Sequence, residues 1–140
     1  MLQRRQTLWM LGAAVCAALT FKLSFFAGTL QTDPAKGPTL TPLTAFGNPW
    51  LVILGATLTV GILVNIFNYS KRRQQLLITF ALILLSLLNI VLYWVAHNKY
   101  IDGTFSLSAL LTLAIPVFLI FAARGISKDE KLVKSADRLR

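Results

Sequence analysis

The sequence predicts an all-α polytopic membrane protein: an antiparallel bundle of four transmembrane helices, followed by a short cytoplasmic amphipathic helix at the C-terminus. Three observations carry that prediction. First, 56% of the 140 residues are hydrophobic and only 14% are charged, against about 25% charged in a soluble domain. Second, the charges gather in short clusters separated by apolar runs, and runs of roughly 18 or more residues read as membrane spans. Third, the cations are lopsided. Eleven of the 14 Lys/Arg fall in the N-terminus, the middle loop and the C-terminal tail. Positive-inside bias then threads four spans with both termini in the cytoplasm.

Taken in order, Arg4 and Arg5 precede the first span, 8–30. A basic start before an apolar run also describes a signal peptide, but this run outlasts a usual apolar region. Val15 sits where a lipoprotein cleavage box before Cys16 needs a small residue, so the first span is expected to be retained. Residues 31–48 read as a polar loop rich in Pro and Gly (Pro34, Gly37, Pro38, Pro42, Gly47), with extended or turn backbone. The second span, 50–69, starts behind Pro49, a residue tolerated in the first helical turn. Trp50 and Tyr69 bracket it as interfacial aromatics do. Lys71, Arg72 and Arg73 make a tight basic turn into the third span, 75–97. A short turn holding Asp102 and Gly103 leads to the fourth, 105–123, in which Pro116 should kink the helix. The membrane domain is thus 1–123, and 124–140 is a basic tail. Ala13/Ala17 and Ala14/Ala18 give span one the small-residue spacing that lets helices approach closely.

Polar residues inside spans are the functional suspects. Lys22 falls within the first span, roughly 9 Å from its outer end, close enough for its stem to snorkel outward. Ser86, Asn89, Tyr93 and His97 share one face of the third. Two readings follow: interhelical packing contacts, or a polar cluster of Lys22, Asn89, Tyr93 and His97 in the outer half of the bundle. Asn65 and Asn68 lie near the cytoplasmic end, where hydration or backbone capping would satisfy them.

Most active-site chemistries are excluded by composition. One His, one Cys and no acid in any span cannot supply three or four metal ligands. Paired axial histidines and paired redox cysteines are impossible within one chain. No Gly-rich phosphate loop is present. No cofactor and no enzymatic activity are expected. The net charge of +9 reflects membrane threading rather than nucleic-acid binding.

The tail opens after Gly125 with Ser127-Lys128-Asp129-Glu130, which reads as a capping box. Leu132, Val133, Ala136 and Leu139 then form one apolar stripe among Lys131, Lys134, Arg138 and Arg140. Such a segment can be solvated, lie on anionic lipid, or dock on a partner. The opening Gln3-Arg4 and Gln6-Thr7, with the closing Arg124, Ile126, Lys128-Asp129-Glu130, Leu132-Val133, Ser135, Asp137-Arg138 and Leu139-Arg140, resembles an uncharacterised Bacteroidota family of small four-span membrane proteins, domain of unknown function 4293. The resemblance implies a location in the bacterial inner membrane and brings no activity or site residue. Two functional expectations stand. One is a non-enzymatic accessory or scaffold working through Arg4, Arg5, Lys71, Arg72, Arg73, Lys128, Lys131, Lys134, Arg138 and Arg140, which would meet anionic headgroups, a protein partner or a second copy. The other is a small oligomeric channel or transporter for an anion or small solute, using the polar cluster.

Overall fold

The computed structural model describes residues 2–30 and 39–138. Four helices hold most of them: α1 (Leu2–Leu19), α2 (Pro49–Phe67), α3 (Arg72–His97) and α4 (Ala109–Arg138). They pack as a closed ring in chain order, α1 on α2, α2 on α3, α3 on α4, and α4 back on α1. The α1–α4 contact is the most extensive. It rests on the small residues of α1: Ala13, Ala14 and Ala17 are buried, and Gly12 lies against the Phe118 ring. Met10, Leu58, Ile62, Leu82, Ile115, Leu119 and Ile126 fill the centre from all four helices.

Three strands, which hydropathy does not reveal, close one end of the ring. β1 (Phe26–Leu30) leaves α1, β2 (Thr39–Leu43) leads through a 3-10 turn (Ala45–Gly47) into α2, and β3 (Tyr100–Phe105) joins α3 to α4. They form one antiparallel sheet in the order β2-β1-β3. The expected first span therefore stops early. Its helix ends at Leu19, where the Thr20 hydroxyl donates to the Ala17 carbonyl at 2.7 Å. The rest of the apolar run turns and becomes the central strand. A short apolar run is equally compatible with helix and strand, and here pairing on both edges decides for strand. The expected turn through Asp102-Gly103 is likewise β3, and part of the expected 31–48 loop is β2. Pro34, Lys36, Gly37 and Pro38 lie outside the described residues. Pro42 sits on the edge strand, where a missing N–H is tolerated.

The sheet is tied to the helices by Phe25 N–H donating to the Leu43 carbonyl (2.8 Å) and Ser106 N–H donating to the Phe25 carbonyl (3.2 Å). Beneath it lies a second core of Phe25, Phe26, Leu43, Leu51, Tyr93 and Ala96. Gly28 and Gly103 face each other across β1 and β3, with the Phe26 ring lying over the pair.

The largest difference from expectation is at the C-terminus. No break occurs at Gly125, and Ser127 caps nothing: α4 runs continuously through both, as a single 30-residue helix. An interior glycine weakens a helix by only about 1 kcal/mol relative to alanine. That is small beside the contacts made by Ile126, buried in the central core, and by Asp129. Pro116 also lies inside this helix, and α2 starts as expected, with the Asn48 side chain accepting from Trp50 N–H at 3.1 Å behind Pro49.

Candidate functional site

The buried face of α3 reads Gln75, Thr79, Leu82, Ser86, Asn89, Tyr93 and Ala96. The steps of three and four are those of a heptad seam, and five of the seven carry a side-chain polar group. Ser86, Asn89 and Tyr93 were legible in the sequence as one polar face. Gln75 and Thr79 continue the same stripe toward the basic end, and extending its spacing backwards would have found them. His97 falls one residue off the seam, which ends on Ala96.

At the basic end the seam is hydrogen-bonded to its neighbours. Asn65 is fully buried, and its amide donates to the Thr79 hydroxyl at 2.9 Å. The Gln75 amide donates to the Asn65 carbonyl at 3.2 Å and reaches Met10 Sδ at 3.8 Å. Asn65 is thus not hydrated, as its position in the chain suggests, but joins α2 to α3. Asn68 is the C-cap of α2. Farther along, Asn89 is buried too; the side-chain carbonyls of both asparagines are unpartnered among the described residues, but only the Asn65 amide bridges α2 to α3. The two asparagines therefore predict opposite results. Asn65→Leu should lower stability by about 1 kcal/mol, the scale of interhelical hydrogen bonds in membranes. Asn89→Leu should leave it unchanged or raise it, because it removes an unsatisfied carbonyl without breaking a bond between helices. Thermal unfolding in one detergent compares them; an equal loss in both would contradict this account.

Of the four residues expected to form an outer polar cluster, Asn89 and Tyr93 share the buried seam of α3, and Lys22 and His97 lie off it. Lys22 is exposed on the turn after α1, not within a helical span. Tyr93 is interior, stacked on Phe25 with ring centroids 4.7 Å apart, and its hydroxyl is bonded to Thr20. His97 is half-buried, edge-on to Phe26 at 4.3 Å and stacked on Phe105 at 5.0 Å. These are packing roles in the aromatic layer under the sheet.

The opposite end gathers the cations. Arg5 lies in the first turns of α1, Lys71, Arg72 and Arg73 at the start of α3, and Arg124, Lys128 and Lys131 on the last turns of α4. Arg140 lies outside the described residues, and the described side chains do not include those of Arg4, Lys134 and Arg138. A buried clamp holds this end in shape. Gln6 donates to Asp129 Oδ2 at 2.7 Å, and Arg72 Nη1 reaches the Asp129 carbonyl at 3.4 Å. Gly125 makes the clamp possible, since a Cβ there would come within 2.7 Å of Gln6 Cγ. Sequence reasoning assigned Asp129 to a helix cap and had no signal for its contact with the far end of the chain.

Two grooves flank α4 here. One, of about 420 Å³, lies between α3 and α4, floored by Phe80, Ile83 and Ile120 and bordered by Arg124, Lys128 and Lys131. The other, of about 520 Å³, lies on the α1 side and is lined by Arg5, Leu8, Trp9, Gly12 and Phe118. Among the described residues no group of three or more His, Cys, Asp or Glu could hold a metal ion.

Pro49–Phe67, Arg72–His97 and Ala109–Val133 are long and apolar enough to cross a membrane. They turn Ile53, Val60, Val64, Leu77, Leu84, Val91 and Leu113 outward. These features mark a membrane protein built mainly of helices. The chain belongs to the family described as Domain of unknown function (DUF4293), which it matches over residues 2–139. No curated protein and no solved structure matches it.

Proposed function

We propose that this is a four-span, non-enzymatic protein of the bacterial inner membrane, a four-helix bundle acting as an accessory or scaffold through its basic cytoplasmic face. The observation that carries this reading is the convergence of Arg5, Lys71, Arg72, Arg73, Arg124, Lys128 and Lys131 on one end of the ring, opposite the sheet. Positive-inside bias then places that end in the cytoplasm, where the leaflet is anionic. We read α1 as the fourth span, a short one: its apolar part, Leu8–Leu19, rises roughly 18 Å, against a typical hydrocarbon core of about 30 Å. The clamp at Asp129 makes the face a shaped surface on helices rather than a loose tail. The channel reading gains no support, because Lys22 is exposed and Asn89 is packed in the interior.

Orientation is tested by single cysteines at Ser70 and Leu40, both exposed, in a Cys16→Ala background. An impermeant maleimide added to spheroplasts should label Leu40→Cys and spare Ser70→Cys until the membrane is opened; the reverse pattern would invert the topology. The scaffold role is tested by photocrosslinking in native membranes from position 131 and from position 40. A defined protein or anionic-lipid adduct is expected at 131 and not at 40. The same adducts from both positions would remove the basic face as the working surface.

A further inference from the structure

We infer that the groove between α3 and α4 is a specific site for an anionic phospholipid; the inference rests on the reading of the basic end as membrane-facing. The groove changes character along a single stripe of α4. Ile120 and Ala123 come first, then Arg124, Ser127, Lys128 and Lys131, at helical spacings of three and four. From Ile120 to Lys131 the stripe rises roughly 16 Å, taking it from acyl-chain depth into the headgroup layer. Phe80 and Ile83 of α3 supply the facing apolar wall. A diacyl phosphodiester has the same polarity gradient: chains on the isoleucine–phenylalanine floor, phosphate between Arg124 and Lys128, and the Ser127 hydroxyl placed to donate to a phosphate oxygen.

Charge selects the anionic class. None of the residues lining the groove is acidic, and three are cations. Of the two acids beside them in the chain, Asp129 is turned away, buried against Gln6 on the α1 side, and Glu130 is not among the residues lining the groove. The clamp therefore does two things: it holds the last turns of α4 in place, and it keeps a carboxylate out of the groove. A zwitterionic lipid would bring its own cation among three others, whereas an anionic one meets only complementary charge. The groove on the α1 side has a comparable volume but a single cation, Arg5, and an indole floor, which suits any lipid chain.

The test is native mass spectrometry of the full chain in detergent, titrated with phosphatidylglycerol or cardiolipin and with phosphatidylcholine. One anionic lipid should be retained in preference to phosphatidylcholine by tenfold or more. Arg124→Gln/Lys128→Gln should abolish that preference. Lys71→Gln/Arg73→Gln removes the same charge elsewhere on the face and should change it less than twofold. Ile120→Trp fills the floor without altering charge and should also weaken retention at least threefold; thermal melts confirm that each variant is folded. Equal losses in the two double variants would overturn the groove site and leave a diffuse basic face, as the broader reading requires. Displacement by millimolar inorganic phosphate would show a phosphate site instead and overturn the lipid assignment. No anionic preference in the native chain would remove the lipid reading of the face as well.

Discussion

Gly103→Val should destabilise the protein by about 3 kcal/mol, at the upper end of overpacking effects, and lower the melting temperature by roughly 10 °C. The reason is backbone, not side chain. A Cβ at position 103 meets the Ala27 carbonyl and the Gly28 Cα on the central strand, with the Phe26 ring covering the same spot. No rotamer relieves that contact, so β3 must separate from β1 and uncover the aromatic layer beneath. Hydrogen exchange should localise the damage to 26–30 and 100–105 while the helices remain protected. Gly47→Val is the control: nothing lies within 4 Å of a Cβ there, and the change should stay within about 0.5 kcal/mol. Comparable melting points for the two variants would contradict the close glycine pair.

The second large effect is at Gly125, where two views of one residue predict opposite signs. If this glycine ended a helix or loosened one, Gly125→Ala would stabilise the chain by about 1 kcal/mol. Packed against Gln6, it should do the reverse. The added methyl meets Gln6 Cγ, and Gln6 cannot swing aside without giving up Asp129. A net loss of about 1 kcal/mol is expected for alanine, rising to about 3 kcal/mol for Gly125→Val. Protease sensitivity of the α4 end should rise with it, as it should in Asp129→Leu, which removes the clamp directly. A more stable Gly125→Ala variant would refute the clamp.

These two glycines also show what the sequence could and could not say. Apolar runs and charge clusters are local, averaged properties, and they located α2, α3, the membrane part of α4 and the basic end. The heptad seam of α3 was half visible for the same reason: Ser86, Asn89 and Tyr93 stand out against leucine and isoleucine. The rest depends on contacts between distant segments. Phe26–Leu30 is apolar and continuous with α1, and only its pairing with Tyr100–Phe105 makes it a strand. Gly125 and Asp129 carry strong local signals for a break and a cap, and both are overridden by Gln6 at the other end of the chain. Lys22 was placed inside a span because the span was drawn too long. Its exposure follows once α1 ends at Leu19.

The unequal helices have a consequence for the bilayer itself. The apolar part of α1, Leu8–Leu19, rises roughly 18 Å, while that of its diagonal counterpart α3, Leu76–Ala96, rises roughly 32 Å. With α1 crossing the membrane as proposed above, a bilayer of uniform thickness cannot match both walls, so it would thin beside α1 or the long helices would tilt, at a fraction of a kcal/mol per ångström of mismatch. A molecule with one short wall and one tall wall imposes a wedge on the lipid around it. It should therefore partition toward thinner membrane regions and toward neighbours whose own short walls complete the thin patch.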